Sequence, residues 1–189
     1  TISFYPTKNL GAIGDGGAVV TQSADIADKL RRLRQYGWAS KYNAALPGGT
    51  NSRLDELQAA FLRLRLPMVD GFNQRRREII ARYRDAAATL DPQLLEVLPA
   101  DGEHHAAHLA IARSSERDGV RAALTEAGIA TDIHFPLPDW AQPAFAEFAP
   151  DTELAVTTSV VGQILSLPLF PELRDDEVQR VCDAIRSLR

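Results

Sequence analysis

The chain has 189 residues, of which 45% are apolar and 24% charged, and its net charge is −4. This composition is typical of one globular domain, with or without a small appendage, that buries a real apolar core. The acidic balance disfavours nucleic acid or an anionic membrane surface as the main partner. No apolar run approaches the roughly 20 residues of a membrane span. The single cysteine, Cys182, cannot form an internal disulfide, so the sequence predicts a cytoplasmic protein. The excess of arginine over lysine indicates a bacterial source with a GC-rich genome.

The segment SFYPTKNLGAIGDGG, residues 3–17, combines turn-forming residues with one of the few lysines of the chain. Pro6 restricts the approach of the backbone to Lys8, and the glycines that follow permit close packing around it. A lysine amine becomes a nucleophile when a restricted, partly desolvated site favours its neutral form. The pattern therefore makes Lys8 a candidate for Schiff-base chemistry with a carbonyl compound.

The glycine-rich stretch GAIGDGG, residues 11–17, allows two interpretations. It is a phosphate cradle, or it is a tight turn at Asp15-Gly16 that leads into a strand at 17–21. Its spacing matches neither the dinucleotide-binding fingerprint nor the P-loop. The turn is therefore the favoured interpretation.

The first half of the chain is predominantly helical. Ser23 is the predicted N-cap of a helix that ends at Gly37, and Pro67 ends or kinks a second helix. Between them, residues 38–52 are predicted to form a long loop. The remaining predicted elements are the second helix at 53–66, with Leu54, Leu57, Ala60, Phe61 and Leu64 on one face, and a third helix at 68–90.

The second half alternates between short strands and helices, which is typical of a small α+β layer domain. We expect the domain boundary near residue 90, with residues 1–90 forming part of a larger domain and residues 91–189 forming a small domain. The predicted strands are 94–99, 108–113, 129–135 and a short extended piece after the helix that begins at 154; the other predicted helices are 115–128, with a serine cap, and 174–188.

His105 and His108 are the histidine pair whose spacing suggests a metal site. On a predicted strand, residues i and i+3 point to opposite faces, and no carboxylate or cysteine partner is close in the sequence. The sequence therefore predicts no metal site.

Several segments together resemble the DegT/DnrJ/EryC1/StrS family of pyridoxal-phosphate (PLP) sugar aminotransferases. They are, in chain order, SFYPTKNLGAIGDGGAVVT, NSRLDELQAAFLRLRLP, RRREIIARYRDA, GIATDIHFPLP and LSLPLFPELRDDEV. The resemblance implies an α/β fold of the aspartate-aminotransferase type (fold type I), of which this chain is the C-terminal half, with long helices and a small α+β domain. We expect an upstream half, with the residues that bind the PLP ring, to be absent from this chain.

The resemblance also implies roles for individual residues. Lys8 is expected to form the Schiff base with PLP, and Ser3 to contact the cofactor phosphate. Asn51 is expected to reach the phosphate in the neighbouring subunit's site. Tyr42 is expected on the substrate side in the same way. His134 is expected near the mouth of the active site, although a loop histidine with purely structural bonds explains the residue almost as well.

The implied reaction is PLP-dependent transfer of an amino group from glutamate to a keto sugar carried on a nucleoside diphosphate, by a homodimer. The segment GWASKY at 37–42 is most similar to the corresponding sequence of family members that act on 3-keto-6-deoxy sugars of dTDP. Two alternatives remain. One is a non-catalytic fragment or interaction protein, and we expect the 189-residue chain alone to be inactive. The other is a PLP-dependent sugar dehydratase, which Lys8 disfavours because such relatives carry histidine at that position.

Overall fold

The chain forms two compact units in the computed structural model, which describes residues 1–150, 152 and 154–189. The first unit is Thr1–Asp70 and the second is Gly71–Arg189. This division lies upstream of residue 90, where the sequence placed the end of the larger domain. The boundary at residue 90 concerns the domains of the complete protein, and it stays a prediction.

The first unit contains two short antiparallel strand pairs and two helices. Strands β1 and β2 pair with Ile2 opposite Ala18, and strands β3 and β4 pair with Trp38 opposite Ala44. The predicted strand at 17–21 is present but is shorter than expected. The elements are β1 Ile2–Ser3, β2 Gly17–Ala18, α1 Ala24–Leu33, β3 Trp38–Ser40, β4 Asn43–Ala44, α2 Glu56–Arg65 and the 3₁₀ turn Leu66–Met68.

Local sequence signals determine the ends of helix α1. The Ser23 side chain accepts a hydrogen bond from the Ile26 amide at 3.3 Å, which confirms the predicted N-cap. After the helix, Gly37 adopts a φ of +71°, a conformation that favours glycine. Pro67 also behaves as expected, because helix α2 gives way to the 3₁₀ turn at Leu66.

The prediction of an irregular loop at 38–52 is wrong for its first part. Strands β3 and β4 form a hairpin there, with Ser40 opposite Asn43. The turn between them lacks the Asn-Gly or Asp-Gly pair that marks most tight hairpins. Tyr42 instead adopts the left-handed conformation, with a φ of +67°. A tyrosine gives no sequence signal for such a turn.

The second unit is a three-stranded antiparallel sheet with helices, in the strand order β5-β6-β7. The central pairing places Ala110 opposite Leu167 and Arg113 opposite Ile164. Helix α3 begins just before the division between the units and continues through the second one. The elements are α3 Val69–Ala87, β5 Glu96–Val97, β6 Ala110–Arg113, α4 Arg117–Glu126, α5 Ala155–Val161, β7 Ile164–Leu167, α6 Asp175–Arg186, and the 3₁₀ turns Asp139–Ala141 and Pro143–Phe148.

The apolar core of the second unit is contributed by helices α3, α4 and α6 and by the sheet. Tyr83 is fully buried, and its hydroxyl donates to the Pro168 carbonyl at 3.0 Å, so its one polar atom is satisfied. Burial raises the pKa of Tyr83 far above its usual range. Other side chains buried in this core are Ile79, Ile80, Leu95, Leu124, Leu165, Val178 and Ile185.

Three consecutive arginines on α3 attach neighbouring loops to the helix. Arg76 is buried and donates to the carbonyls of His108 and Leu169, at 3.1 and 3.2 Å. Burial lowers the pKa of Arg76. On its two sides, Arg75 donates to the Leu173 carbonyl and Arg77 to the His105 carbonyl. Because backbone carbonyls accept all these bonds, the cluster stabilises the fold rather than presenting a basic surface.

Two local predictions for the second unit are wrong. Helix α4 has Glu116 as its N-cap and no side-chain capping bond, while the expected serine, Ser115, donates to the Gln93 carbonyl. The stretch 129–135 is not a strand. Within it only Asp132 pairs with the sheet, through a bridge to Ser166, and Phe135 has a φ of +59°, which is incompatible with a strand.

The core of the second unit yields a stability prediction. Leu124→Ala is expected to lower the free energy of unfolding by about 2–5 kcal/mol, because it removes a fully buried side chain and leaves a cavity. Urea denaturation of the complete protein, followed by circular dichroism, measures this change. The control is Leu137→Ala, since Leu137 is 48% exposed and its loss is expected to cost less than about 1 kcal/mol. Equal effects of the two substitutions would contradict the assignment of the core.

Candidate active site

Lys8 lies in a loop, residues 4–16, that is closed at its base by backbone hydrogen bonds. The β1–β2 pair ends with Ser3 opposite Gly17, and the next bond runs from the Phe4 amide to the Gly16 carbonyl at 2.8 Å. Within the loop, the Lys8 amide donates to the Tyr5 carbonyl at 2.8 Å, which forms a turn directly before the lysine. Lys8 is half-buried. The backbone bonds therefore fix the point in the loop from which the Lys8 side chain extends.

The favoured interpretation of the glycine-rich stretch is wrong in one respect. The chain does lead into strand β2 at Gly17, but a wide loop rather than a tight two-residue turn joins the strands. The glycines allow backbone segments of this loop to approach each other closely. An added Cβ at Gly11 would overlap the Pro6 carbonyl group and would lie 2.9 Å from the carbonyl carbon. The loop carrying Lys8 thus folds back on itself where only glycine fits.

Ser3 stands at the end of β1, and its side chain is exposed. Its hydroxyl oxygen accepts a hydrogen bond from the Tyr5 amide at 3.3 Å. This bond uses the oxygen as acceptor, so the hydroxyl hydrogen can still be donated to an anion. The geometry is compatible with the predicted role of Ser3 as a phosphate donor, which stays a prediction.

Asn51 lies between the β3–β4 hairpin and helix α2, where its backbone pairs with Gln35. Its side-chain oxygen accepts from Arg53 Nε at 2.9 Å. Because the amide oxygen faces the guanidinium, the amide nitrogen with its two hydrogens faces elsewhere. Arg53 in turn lies over the Tyr36 ring, 5.9 Å from its centroid. Asn51 is therefore an exposed donor that is oriented by its hydrogen bond to Arg53.

The β3–β4 hairpin carries a cluster of aromatic and cationic side chains. Tyr42 is 81% exposed, and its ring lies 5.5 Å from that of Trp38. Lys41 Nζ is 5.1 Å from the centroid of the Tyr42 ring. A cleft of about 410 Å³ adjoins this cluster, and it is lined by Arg31, Arg32, Gln35, Trp38, Ser40 and Lys41. Three cations beside an indole suit an anionic ligand with a planar ring. Sequence reasoning missed this cleft, although the scarcity of lysine could have drawn attention to Lys41.

A larger cleft of the first unit has a volume of about 1010 Å³. Its walls come from the β1–β2 pair, helix α1 and the segment before α2. Its lining includes Ile2, Phe4, Leu30 and Leu54, but none of the predicted site residues. Cavity size alone therefore does not indicate the site.

His134 belongs to the second unit. Its Nδ1 lies 2.8 Å from the Ser166 hydroxyl oxygen, and Ser166 also exchanges two backbone hydrogen bonds with Asp132. His134 is thus a half-buried histidine with a structural bond, as the alternative interpretation expected. Since Nδ1 is engaged, Nε2 is the ring nitrogen that a substrate could contact. A substrate role for His134 stays a prediction.

The histidine pair does not lie on a strand. His105 and His108 both precede β6, which begins at Ala110, so the argument about strand faces does not apply to them. His105 Nδ1 instead accepts from the Ala107 amide at 3.0 Å. Across residues 1–150, 152 and 154–189, no group of three or more histidine, cysteine, aspartate or glutamate side chains could hold a metal ion. Within the same residues, no helix is both long and apolar enough to cross a membrane.

Solved structures share this architecture. The crystal structure of S. venezuelae DesV in complex with a ketimine intermediate superposes with a TM-score of 0.87 at 44% identity, covering 97% of this chain and 49% of that one. The structure of NtdA from Bacillus subtilis with bound cofactor PMP gives a TM-score of 0.85 at 28% identity, covering 97% and 44%. The architecture is thus half of a fold type I PLP-dependent aminotransferase, which confirms the predicted fold class.

The family follows from the sequence comparison. The model of the DegT/DnrJ/EryC1/StrS aminotransferase family matches residues 1–186, and the chain belongs to this family. It is 45% identical over 186 residues to the dTDP-3-amino-3,4,6-trideoxy-α-D-glucose transaminase of Streptomyces venezuelae, covering 98% of this chain and 48% of that protein. It is 43% identical over 185 residues to the UDP-N-acetyl-3-dehydro-α-D-glucosamine 3-aminotransferase of Acidithiobacillus ferrooxidans, covering 97% and 49%. The chain spans about half the length of the curated relatives it matches.

The loop geometry predicts the effect of a single methyl group. Gly11→Ala is expected to open the loop, because the new Cβ overlaps the Pro6 carbonyl, and to expose Lys8. The measurement is the rate at which an amine-acetylating reagent labels Lys8 in cofactor-free protein, read by mass spectrometry. We expect the Lys8 rate to rise several-fold relative to the other lysines.

Gly71→Ala is the matched control, since nothing lies within 4 Å of an added Cβ there. It is expected to leave the labelling of Lys8 unchanged. An unchanged rate in Gly11→Ala as well would contradict the close approach of Gly11 to Pro6.

Proposed function

We propose that the complete protein is a PLP-dependent aminotransferase that transfers an amino group from glutamate to a keto sugar linked to a nucleoside diphosphate. The observation that carries the proposal is the closed loop that begins directly after Ser3 and holds Lys8 half-buried. Membership of an aminotransferase family supports it, as do the dTDP- and UDP-sugar reactions in the names of the relatives. We favour a 3-keto-6-deoxy sugar of dTDP, and a cytoplasmic, bacterial enzyme.

The donors of this chain fit the cofactor. PLP carries a phosphate and an aldehyde, which require hydrogen-bond donors and a nucleophilic amine. Ser3 offers its hydroxyl hydrogen, Asn51 offers both amide hydrogens, and Lys8 offers the amine. In each of the first two, the oxygen already accepts a bond within the chain, so a donor remains for the phosphate.

Lys8 has two tasks in the proposed reaction. Its amine would hold the cofactor covalently through the cofactor's aldehyde carbon, with loss of water. When it is not engaged in that bond, the amine would take the proton from the α-carbon of the amino donor and carry it to its new position. PLP, when bound, would supply the electron sink that makes loss of this proton feasible. In the second half of the reaction, the same amine moves a proton in the reverse direction for the keto sugar.

The hairpin supports a nucleotide-linked substrate. A sugar linked to a nucleoside diphosphate carries two negative charges on its diphosphate and a planar base on its nucleoside. The cleft beside the hairpin brings three cations together with Trp38. Tyr42 on the same hairpin is exposed and accessible to a ligand. We infer that Tyr42 contacts the substrate and that His134 contributes through Nε2.

We further infer a homodimer with composite sites, in which Asn51 serves the partner's cofactor. Helix α2 follows Asn51 and leaves Leu57 and Leu64 71% and 75% exposed in this chain. Large exposed apolar side chains in a row mark association surfaces. We propose that the face carrying Leu54, Leu57 and Phe61 lies at or near the dimer interface.

Two other functions remain as alternatives. A PLP-dependent sugar dehydratase is disfavoured by Lys8, since the resemblance implies histidine there for such enzymes. A non-catalytic fragment is the other alternative. Because this chain offers only part of the donors that PLP requires, we expect the 189 residues alone to bind PLP weakly and to lack transaminase activity.

The first test concerns Lys8. In the complete protein, Lys8→Ala is expected to abolish the absorbance of lysine-bound PLP and to lower kcat by about 10²–10⁴-fold or more, because it removes both the covalent anchor and the proton carrier. Borohydride reduction of the unaltered protein with PLP is expected to leave a phosphopyridoxyl group on Lys8, detected by peptide mass spectrometry.

Lys29→Ala is the matched control, because Lys29 is an exposed lysine of helix α1. This variant is expected to retain both absorbance and activity. Full transaminase activity in Lys8→Ala would refute the assignment of the nucleophile.

The second test uses mixed dimers. Lys8→Ala and Asn51→Ala subunits are each expected to give low activity at limiting PLP. When they are mixed and reassociated, a composite site pairs the intact Lys8 of one subunit with the intact Asn51 of the other. Random pairing puts about half of the subunits in mixed dimers, each with one intact site, so about a quarter of the unaltered activity is expected to return.

If both residues served the same subunit's site, every site in the mixed dimer would carry one defect and activity would not recover. That result, or an active monomer in sedimentation, would contradict the shared site.

A further inference from the structure

We propose that Gln58 is a positioning residue for Lys8, because its side-chain amide ties the first turn of helix α2 to the loop that carries the lysine. The proposal rests on the proposed function, since it assigns Gln58 a part in the same reaction. Gln58 lies within the segment NSRLDELQAAFLRLRLP, but it is not among the predicted site residues.

The first observation is a hydrogen bond between distant segments. Gln58 Nε2 donates to the Asp15 carbonyl at 2.9 Å. A carbonyl only accepts, so this contact fixes which end of the amide faces the loop. The Gln58 oxygen is buried and has no hydrogen-bond partner among the described residues. A buried acceptor without a partner costs about 1–3 kcal/mol, so a side chain that merely filled space would be better apolar.

The second observation is that helix α2 and the segment leading into it pack closely against the same part of the loop. An added Cβ at Gly14 would lie 3.2 Å from Gln58 Nε2, and one at Gly16 would lie 2.8 Å from Leu54 Cδ1. Leu54 and Gln58 therefore contact the backbone directly at two glycines that flank Asp15. Hydrogen bond and packing together hold Asp15 in place from one side.

A short series of backbone bonds connects this point to Lys8. Gly16, next to Asp15, accepts from the Phe4 amide, and Tyr5, next to Phe4, accepts from the Lys8 amide, both at 2.8 Å. If Asp15 shifts, the Phe4–Gly16 bond that closes the loop shifts as well. The turn at Tyr5 that sets the direction of Lys8 then loses its support. Gln58 thus acts on Lys8 through the backbone and needs no contact with the substrate.

The placement of Gln58 also links two parts of the proposed composite site. The segment between Asn51 and Gln58 contains the start of α2, so one short stretch carries both Asn51 and the support of Lys8. In the proposed dimer, Asn51 serves the partner's site and Lys8 serves its own. Because only a short segment of chain separates Asn51 from Gln58, Gln58 would therefore fix the position of one site relative to the other.

The test uses Gln58→Met and Gln58→Glu in the complete protein. Methionine keeps the length without the donor, and a carboxylate keeps the shape but presents an oxygen to the Asp15 carbonyl. We expect kcat to fall about five- to tenfold in Gln58→Met, which is the worth of one hydrogen bond, and further in Gln58→Glu. KM for the nucleotide sugar is expected to stay within about twofold, because the substrate contacts are untouched.

A second readout does not depend on activity. In cofactor-free protein, hydrogen–deuterium exchange of the Phe4 and Lys8 amides is expected to accelerate several-fold in both variants, while exchange in helix α6 stays unchanged. Gln74→Met is the matched control, since Gln74 is an exposed helical glutamine that donates to Glu78 on its own helix, at 3.0 Å. It is expected to change neither kcat nor exchange.

Two results would overturn the proposal. One is unchanged exchange at Phe4 and Lys8 in both Gln58 variants. The other is faster exchange together with an unchanged kcat per folded molecule, which would make Gln58 a purely structural residue. Failure of the proposed function is recognised separately, because in that case Lys8→Ala would itself retain activity.

Discussion

The hydrogen bond from the Phe4 amide to the Gly16 carbonyl is the constraint on which the candidate site depends. The β1–β2 pair beside it has only two residues in each strand and would not be stable alone. Two further hydrogen bonds stabilise the loop. Within the loop, the Ala12 amide donates to the Phe4 carbonyl, and from helix α2 the side-chain amide of Gln58 donates to the Asp15 carbonyl. The loop can then hold a lysine half-buried without any long element of secondary structure.

In the second unit the sheet is small, with three strands, and helix α3 holds several of the surrounding loops in place. Helix α3 places Tyr83 against Pro168 and Arg76 against two carbonyls, so that the Tyr83 hydroxyl and Arg76 Nη1 both donate to backbone acceptors. Each such bond contributes about 1 kcal/mol, and removing one partner costs more because the other is left buried. The bonds to Pro168 and Leu169 thus anchor the chain directly after strand β7, whose Ser166 contacts the His134 ring.

Predictions from the sequence succeeded where the physical cause is local. Ser23 caps α1 through an atom three residues away, and Pro67 interrupts a helix by its own geometry, so both are visible in a short window. The β3–β4 hairpin was missed because its turn uses Tyr42 at positive φ. The strand at 129–135 was wrongly predicted, since this stretch pairs with the sheet through a single bridge at Asp132 and ends at Phe135 with positive φ. For the site, the turn-forming residues around Lys8 could be recognised in the sequence. The Gln58–Asp15 bond, by contrast, joins residues far apart in the sequence and gives no local signal. The roles of Ser3, Asn51, Tyr42 and His134 came from resemblance, and they remain predictions.

The exposed donors of the site show why their neighbours matter. An exposed serine or asparagine normally samples several rotamers, and ordering such a side chain on binding costs about 0.5–1.5 kcal/mol. Here the Tyr5 amide holds the Ser3 hydroxyl, and Arg53 holds the Asn51 amide while lying over the Tyr36 ring. Each donor is therefore oriented before a ligand arrives, with its oxygen occupied and its hydrogens outward. In the proposed site a phosphate would meet ordered donors at both positions, so its binding energy would not be spent on arranging them. Tyr36 would then contribute to anion binding without contacting the anion, through Arg53 and Asn51.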